Sequence, residues 1–389
     1  MSKRIKILQL QPDYQENSHN YSDLAEQIVA AFPKDRYTVT SAFIRGKPRA
    51  GHPTSRADET VYFDFPSAAL SGFRIKLIWK IYQFCRRGNF DVVICNRYKQ
   101  VNMLMLLNHW LKIPLCIGIS HGFGEYTPFW RRQRARLLID ESWRFVGVSP
   151  AVAQYLVDQR CGFTEKNTTA ITNAIDISEA ESQQLSRHEA REALGLPPEP
   201  RLIGAAGRLV SVKGHLYLLQ AFARIAEKHA DAALAIIGEG KERLRLEAEI
   251  ARLGLHGRVH LLGFRAGAKR YVRAFDIWTM PSLSEGLGLA LLEGMSGHLP
   301  IIASDIPAMR PLIDGAGGLA APPADVSALS EALDRYLSLS PAGLKTKGEL
   351  AYAYLCKNHS IEGYRSEYLG LVENALSINK IRIAESSEA

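Results

Sequence analysis

The sequence lacks three features that would assign it to particular classes: a long apolar run, paired cysteines and a D-x-D motif. No apolar run approaches the ~18–20 residues that a membrane-spanning helix needs, so an integral membrane protein is not expected. The five cysteines form no C-x-x-C pair, which favours reduced thiols in a cytosol over disulfides or a zinc site. The first residues turn polar too soon for a signal peptide and predict a β-strand instead.

The composition indicates a folded protein whose charge is unevenly distributed. With 23% charged and 9% aromatic residues, a disordered chain is excluded. At roughly 100–200 residues per domain, 389 residues suggest two domains. Residues 1–176 contain 24 Lys+Arg against 15 Asp+Glu, so the whole positive excess of the chain lies there. This asymmetry predicts an anionic partner for the first half: nucleic acid, an anionic membrane surface or an acidic substrate.

Short apolar strands alternate with helical stretches in both halves, which predicts an α/β fold with two doubly wound parallel sheets. The predicted strands are residues 5–10, 39–43, 61–65, 91–95, 115–119, 144–148, 202–206, 234–237, 259–262, 277–280 and 301–303. The predicted helices include residues 22–31, 150–156, 215–228, 242–253, 268–275, 289–296 and 326–337. Residues 177–200, polar and proline-rich at the end, predict a linker, and the last helix, 361–376, is expected to pack on the first domain.

A basic, glycine-containing loop follows the strand at 202–206. It contains Gly207, Arg208 and Lys213, and the carboxyl ends of strands face the ligand crevice in doubly wound domains. Arginine and lysine five residues apart could hold one diphosphate, at roughly 1.5–3 kcal/mol per charge-assisted contact. The alternative is an ordinary solvated basic loop, and the spacing alone does not decide between the two.

A second glycine-containing loop, residues 284–288, joins a strand to the helix at 289–296. Its glycines free backbone N–H groups to point at an anion near the helix N-terminus. Glu285 in the loop and Glu293 in the helix could accept hydrogen bonds from a diol. Glu293 lies in a mostly apolar helix where a buried carboxylate needs a partner, which favours a binding role over a plain surface charge. His121, after the strand at 115–119, points into a similar crevice, although a lone histidine is more often structural.

Together, over nearly the whole chain, these motifs resemble the retaining glycosyltransferases of family 4, which have the GT-B fold. Residues 207–214 (GRLVSVKG) look like the family's G-R-[LF]-x-x-x-K-G motif, and residues 284–297 match its E-x7-E signature. Residues 120–122 (SHG), 173–176 (NAID) and 237–240 (IGEG) are also similar to family motifs. The resemblance implies two Rossmann-like domains facing across a cleft: residues 1–178 binding the acceptor and residues 179–360 the nucleotide sugar. Residues 361–389 would form the returning helix and a tail.

The resemblance also implies roles for individual residues. Arg208 and Lys213 would bind the donor diphosphate, Glu293 the ribose hydroxyls, and the loop at Phe264 the base. Glu285 would contact the transferred sugar. The donor-binding residues implied are Gly207, Arg208, Lys213, Gly238, Phe264, Glu285, Gly286, Leu287, Gly288 and Glu293. The catalytic residues implied are His121, Arg208, Lys213 and Glu285.

The first loop departs from the family pattern. Residues 11–20 (QPDYQENSHN) lack the Gly-Gly pair that the family usually has near the donor phosphate, so unusual acceptor contacts are expected there. His19 in this loop and Asn96, where the strand at 91–95 ends, are the candidate acceptor contacts. His121 would meet the donor sugar from the side of the first domain.

The predicted activity is transfer of a hexose-type sugar, with retention, from a nucleotide-diphosphate sugar to a glycan or lipid-linked acceptor. A UDP-sugar donor and a role in lipopolysaccharide or cell-envelope polysaccharide synthesis are favoured. No cofactor and no metal ion are expected, because the basic pair and backbone amides would stabilise the departing diphosphate. Glu285 is expected to orient the sugar rather than act as a covalent nucleophile.

Two rival interpretations assign the protein to other functional classes. One is a GT-B-fold sugar-nucleotide epimerase or phosphorylase, which would need a different set of carboxylates or lysines. The other is a nucleic-acid binder, suggested by the sequence pI of about 9.2. It leaves Glu285 and Glu293 unexplained, so nucleic acid is not expected as a partner.

The basic residues of the first half also predict where the protein works. The helix expected at 73–87 has a polar and basic face, and residues 131–136 (RRQRAR) add four positive charges. One interpretation is docking on anionic lipid at ~1 kcal/mol per basic residue, and the other is a core helix with a solvated side. The charge excess favours an anionic acceptor or a peripheral position on the inner face of the cytoplasmic membrane. The residues on the polar face are Lys76, Lys80, Gln83 and Arg87.

Overall fold

The computed structural model describes residues 3–14, 21–48, 55–66 and 75–387. The chain divides into two compact units, Met1–Asn173 together with Glu362–Ala389, and Ala174–Ile361. Each unit is built on one parallel β-sheet flanked by helices, so the predicted α/β fold class is confirmed.

The sheet of the first unit has seven strands in the order β3-β2-β1-β4-β5-β6-β7, all paired in parallel. The strands are β1 (Ile5–Asp13), β2 (Tyr37–Arg45), β3 (Glu59–Tyr62), β4 (Val92–Asn96), β5 (Leu115–Ser120), β6 (Trp143–Gly147) and β7 (Thr168–Ala170). The helices are α1 (Tyr21–Ala30), α2 (Ile75–Gly88), α3 (Arg97–Leu111), α4 (Phe129–Leu138) and α5 (Pro150–Asp158). Every residue of β4 and β5 is buried, as expected for parallel strands covered on both faces.

The C-terminal helix α14 (Ile361–Ser387) belongs to the first unit from Glu362 onward. Arg365 donates to Gln27 of α1, and Glu373 forms an ion pair with Arg36 at 2.7 Å. Tyr364, Tyr368 and Val372 are buried on the helix face between these contacts.

The sheet of the second unit has six parallel strands in the order β10-β9-β8-β11-β12-β13. The strands are β8 (Arg201–Ala206), β9 (Ala232–Ile237), β10 (Val259–Leu261), β11 (Ile277–Met280), β12 (Ile301–Ser304) and β13 (Leu319–Ala321). The α-helices are α6 (Ile177–Gln183), α7 (Arg187–Leu194), α8 (His215–Ile225), α9 (Arg243–Arg252), α10 (Leu289–Ser296), α11 (Arg310–Gly315), α12 (Val326–Leu337) and α13 (Pro341–Asn358). The strand order is that of a Rossmann sheet, whose direction of winding reverses between β8 and β11.

The prediction of a linker at residues 177–200 is wrong, because two capped helices occupy most of it. The Asp176 side chain accepts from the N–H of Glu179, and Ser186 and Glu189 form a capping box that starts α7. The buried Arg191 side chain forms an ion pair with Asp276 and donates to the carbonyl of Ala274. A charged residue within the predicted linker therefore attaches α7 to the second unit.

Another element differs from its prediction: residues 268–275, expected as an α-helix, form a 3-10 helix, Ala268–Ala274. It begins after Gly267 without a side-chain cap, and it ends at Phe275, whose ring packs against Trp278 at 5.3 Å. The short 3-10 helix therefore ends where the Phe275 ring enters the core.

The cysteines are unpaired, and four of the five are buried. Burial raises the pKa of the Cys85 thiol to about 12, and it raises the pKa values of the Cys95 and Cys116 thiols well above their ordinary value. In the part of the chain that the structure describes, no group of three His, Cys, Asp or Glu side chains is placed to hold a metal ion. Nor does any helix within those ranges have the length and apolar character needed to cross a membrane.

Candidate functional site

The candidate site of the second unit lies where β8 and β11 end, on either side of the point where the winding of the sheet reverses. Ligands of open α/β sheets bind outside the carboxyl ends of the strands at such a point. The loop after β8 contains the predicted residues Gly207, Arg208 and Lys213, and the loop after β11 leads to Glu285. Strand order thus brings the two predicted loops to one edge of the sheet.

Backbone hydrogen bonds connect three loops at this edge. The N–H of Leu209 donates to the carbonyl of Glu239 at 2.9 Å, joining the loops after β8 and β9. The N–H of Leu283 donates to the carbonyl of Val212 at 2.8 Å, joining the loops after β11 and β8. A side chain at Gly238 is excluded, because its Cβ would lie 1.9 Å from the carbonyl oxygen of Gly207. The loops are therefore fixed by main-chain contacts.

Lys213 and Glu285 meet across two of these loops. The Lys213 Nζ lies 2.5 Å from Glu285 Oε1, and the side chains are 19% and 15% exposed. Lys213 ends a short 3-10 helix, Ser211–Lys213, and the left-handed Gly214 then starts α8. An ammonium and a carboxylate are thereby held together, partly shielded from solvent, at the strand ends.

At Gly288 the loop after β11 turns into α10. It has φ +111° and precedes α10 with no side-chain cap, so the first backbone N–H groups of α10 point out of the helix end. Leu287 is buried, and Gly286 is partly buried. Glu293, on the second turn of α10, is partly buried as well. This arrangement suits an anion, because a helix N-terminus combines free N–H donors with positive potential.

The remaining predicted donor residues border the same edge. Arg208 is exposed on the loop after β8. Gly238 follows β9, and its N–H donates to the carbonyl of Gly263 at 2.9 Å. Phe264, next in the chain, is 58% exposed, which leaves its ring face accessible.

His215 is a residue of this site that the sequence analysis missed. It is 4% exposed at the start of α8, and its ring nitrogen Nε2 lies 3.8 Å from where a Cβ on Gly207 would be. Burial, together with the nearby Lys213 ammonium, lowers the pKa of His215 to about 4. Its position in the sequence could have identified it, because His215 directly follows Lys213 and Gly214 at the start of a helix that leaves the crevice.

In the first unit, His121 and Asn96 come together at the ends of β5 and β4. The Nε2–H of His121 donates to Asn96 Oδ1 at 3.1 Å. Burial, with the Arg97 guanidinium, lowers the pKa of His121 to about 3, so the ring is neutral near pH 7. Arg97 itself has φ +68°, an uncommon backbone conformation for a non-glycine residue. His19, the other candidate acceptor contact, lies outside the described residues.

Glu125, which also lies at this edge of the first unit, was not identified by the sequence analysis. Its carboxylate accepts from Ser120 Oγ at 2.6 Å, and burial raises its pKa. Arg131 donates to the Glu125 carbonyl at 2.9 Å and stacks over the Tyr98 ring at 4.1 Å. The loop after β5 is thus tied to α3 and α4.

The buried neutral histidines predict a specific loss of stability in acid. His215 has a folded-state pKa near 4 and takes up its proton near pH 6.5 when unfolded. Between these values the unfolded state binds more protons, so stability falls as the pH is lowered. From pH 8 to pH 5, His215 alone should lower the free energy of unfolding by about 2 kcal/mol.

Urea unfolding at pH 8 and pH 5 tests this expectation. His215→Gln should reduce the stability difference between the two pH values by about that amount. His188→Gln, which removes an exposed histidine of α7, should keep the wild-type difference. An unchanged pH dependence in His215→Gln would contradict the assignment of a buried neutral ring.

Comparison with known proteins relates this geometry to a family. The sequence model of glycosyltransferase family 4 matches residues 24–179, and that of glycosyl transferases group 1 matches residues 186–349. EpsF of Bacillus subtilis, a putative glycosyltransferase, is 27% identical over 226 residues, 56% of this chain and 58% of EpsF. The chain spans 24–46% of several further curated relatives.

Two comparisons cover more of the chain. The lipopolysaccharide core biosynthesis mannosyltransferase LpsB of Rhizobium meliloti is 27% identical over 68% of this chain and 74% of LpsB. The crystal structure of Anabaena HepE in complex with UDP aligns over 95% of this chain and 100% of HepE, with a TM-score of 0.76 and 19% identity. The chain belongs to glycosyltransferase family 4, and its fold is GT-B.

Proposed function

We propose that the protein is a retaining glycosyltransferase that moves a hexose-type sugar from a nucleotide-diphosphate sugar to a glycan or lipid-linked acceptor. The observation that carries this proposal is the Lys213–Glu285 pair, at 2.5 Å, beside the N-terminus of α10. A cation and free N–H groups suit a diphosphate, and a carboxylate suits sugar hydroxyls. The second unit would thus bind the donor and the first the acceptor.

Stabilisation of the leaving diphosphate is the main task of these residues in the proposed reaction. As the bond from the sugar to the diphosphate breaks, negative charge grows on the phosphate oxygens. Lys213, Arg208 and the amides before α10 would meet this charge in positions set beforehand by the loop hydrogen bonds. Glu285, held by Lys213, would orient the sugar, and the leaving phosphate would take the acceptor proton.

The names of the relatives support the choice of substrates. LpsB is named as a lipopolysaccharide core mannosyltransferase, and HepE was crystallised with UDP and with UDP-glucose. We therefore propose a UDP-sugar donor and an acceptor in lipopolysaccharide or envelope polysaccharide synthesis. The curated relatives are named as glycosyltransferases, which favours transfer over the epimerase or phosphorylase alternative.

A donor panel tests the proposed activity directly. UDP-, GDP-, ADP- and dTDP-sugars should be compared by thermal shift and by release of the nucleotide with and without EDTA. One nucleotide class should raise the melting temperature by several degrees, because a ligand at 100 times its Kd stabilises by about 2.7 kcal/mol. Hydrolysis should continue in EDTA, since cationic side chains supply the charge. Absence of binding by every nucleotide sugar, or loss of hydrolysis in EDTA that manganese restores, would contradict the proposal.

We also propose that the first unit docks on an anionic membrane surface. Several large apolar side chains are exposed on its helices, among them Trp79 of α2, Trp110 of α3, and Trp130 and Leu137 of α4, at 58–81% exposure. Lysines and arginines lie beside them on α2 and α4. Aromatic rings with neighbouring basic residues suit the interface of an anionic bilayer. This pattern favours the membrane interpretation of the basic helix over that of an ordinary core helix.

Liposome sedimentation tests the docking surface. Wild-type protein should bind vesicles with 30% anionic lipid, bind zwitterionic vesicles weakly, and dissociate at high salt. Trp130→Ala should lower the partition coefficient at least about tenfold, because burying half a tryptophan at ~25 cal/mol per Å² contributes about 2 kcal/mol. Leu244→Ala, which removes an equally exposed side chain from α9 of the other unit, is the matched control. Binding without salt sensitivity, or an equal loss in both variants, would contradict this docking surface.

A further inference from the structure

A buried histidine, His215, lies directly behind the residues proposed to hold the donor diphosphate. It is the first residue of α8, and Lys213 and Gly214 immediately precede it. The three atoms nearest to the point where a Cβ on Gly207 would lie are Lys213 Cδ, Lys213 Cε and His215 Nε2, at 3.6, 3.7 and 3.8 Å. Gly207 is partly exposed, whereas His215 is only 4% exposed. The lysine side chain and one edge of the histidine ring therefore border the same space beside Gly207.

The ring of His215 acts on this space through its charge rather than by contact. Both of its nitrogen atoms are buried. The main chain before it is fixed, because a Cβ on Gly214 would lie 1.9 Å from the carbonyl oxygen of Pro281. The N–H of Leu283 also donates to the carbonyl of Val212 at 2.8 Å. A ring held in this way affects a bound ligand mainly through the proton that it gains or loses.

Beside the Lys213 ammonium the ring of His215 is neutral near pH 7. Burial, together with this positive charge, lowers the pKa of His215 to about 4. A contact with the main chain of Arg208 favours the protonated ring and works in the opposite direction. The ring can therefore accept a second proton, and the neighbouring cation is one of the two causes that oppose it.

The acidic side chains of the neighbouring loops already have cationic partners. On the loop after β11, Glu285 pairs with Lys213 at 2.5 Å. On the loop after β9, Glu239 pairs with Arg243 at 2.6 Å. The Lys213 ammonium is thus the charge on these loops that acts on the histidine ring.

The charged side chains of the helices packed against α8 also have partners of their own. In α9, Glu249 pairs with Arg252 at 2.7 Å. In α12, Asp334 pairs with Lys228, in the turn after α8, at 2.7 Å. Asp325 caps α12 by accepting from a backbone N–H. The ring at the start of α8 therefore responds mainly to the charges on the loops of the site.

We propose that His215 is a positioning residue of the diphosphate site and that it takes up a proton when the donor binds. The inference rests on the proposed function, because it takes the ligand as a nucleotide-diphosphate sugar held by Lys213 and Arg208. Negative charges beside Lys213 offset its ammonium, so protonation of the ring is no longer opposed by a lone cation. Repulsion from the protonated ring then keeps the Lys213 ammonium turned towards the diphosphate.

Proton uptake makes donor binding depend on pH in a defined direction. The pKa of His215 is about 4 in the free protein, and a diphosphate that restores the ordinary value gives about 6.5 in the complex. Between these values the complex binds more protons than the free protein, so donor affinity rises as the pH falls. From pH 8 to pH 6 the Kd should fall about fourfold, with about three quarters of a proton taken up per donor at pH 6.

Isothermal titration calorimetry of the full chain measures both quantities. The probes are UDP-glucose, GDP-mannose, ADP-glucose and dTDP-glucose, whose diphosphates carry no group that titrates between pH 6 and pH 8. Titrations at pH 6 in two buffers of different ionisation enthalpy give the number of protons taken up. His215→Gln keeps a polar side chain that cannot take up a proton. The matched control is His229→Gln, which removes a 9% exposed histidine that contacts Asp334 after the other end of α8.

The wild type and His229→Gln should both show the fourfold fall in Kd and the proton uptake. His215→Gln should bind the donor about as tightly as the wild type at pH 8 and show neither effect at pH 6, which a purely structural role would not produce. His215→Asn is the second neutral variant if His215→Gln does not fold.

The same titrations separate this inference from the proposed function. Donor binding without proton uptake in the wild type, uptake that persists in the neutral variants, or an equal loss in His229→Gln would overturn the inference and leave the proposed function standing. Absence of binding by every nucleotide sugar would contradict the proposed function itself.

Discussion

Replacing Lys213 by alanine should lower kcat/KM for the nucleotide sugar by about 10²–10³-fold. Loss of one preorganised group that stabilises developing negative charge costs about 2.7–4 kcal/mol in comparable sites. The effect should appear mainly in kcat, because the charge on the leaving diphosphate is greatest in the transition state. Steady-state release of the nucleotide from the donor measures it.

The control for this variant must separate charge from structure. Lys213 also forms the ion pair with Glu285, so Lys213→Arg, which keeps a cation, should retain more activity than Lys213→Ala. Lys228→Ala removes the same charge from the turn after α8, where Lys228 pairs with Asp334, and should leave turnover unchanged. Near-normal turnover in a folded Lys213→Ala protein would refute the phosphate role.

Replacing Gly214 by alanine should destabilise the second unit by about 2–5 kcal/mol and abolish donor binding. Gly214 has φ +69°, which costs alanine about 1–2 kcal/mol. Its Cβ would also lie 1.9 Å from the Pro281 carbonyl oxygen, so the loop with Lys213 would have to move from the loop with Glu285. Overpacking of this kind typically adds about 1–3 kcal/mol.

Gly195 provides the matched control because its backbone has almost the same conformation. It has φ +67° at the end of α7, and no described atom lies within 4 Å of its Cβ position. Gly195→Ala should therefore cost only about 1–2 kcal/mol and keep donor binding. Urea unfolding with nucleotide thermal shifts distinguishes the two variants. Equal destabilisation would show that the close approach to Pro281 is unimportant.

Strands were predictable where they are buried on both faces. Residues 91–95 (DVVIC) and 115–119 (LCIGI) are continuous apolar runs because helices cover both sides of a parallel sheet, and β4 and β5 confirm them. The edge strands β7 and β13 have three residues each and leave no such pattern. Helix α3 was missed as well. Its apolar residues are spread around the helix, so no 3.6-residue period stands out.

The residues of the candidate site were easier to find than their contacts. Lys213 and Glu285 each belong to a recognisable motif, but 72 residues separate them, and only the strand order places β8 beside β11.

The close contact of the Lys213 ammonium with Glu285 affects how tightly the proposed site would bind the intact donor compared with the transition state. In the proposed reaction, an arriving diphosphate would have to compete with a carboxylate already 2.5 Å from that ammonium, which would cancel part of the attraction in the Michaelis complex. As the leaving group gains negative charge, it would attract the Lys213 ammonium more strongly, and the interaction of that ammonium with Glu285 would matter less. The enzyme would then hold the intact donor loosely and favour the bond-breaking geometry, which raises turnover rather than affinity.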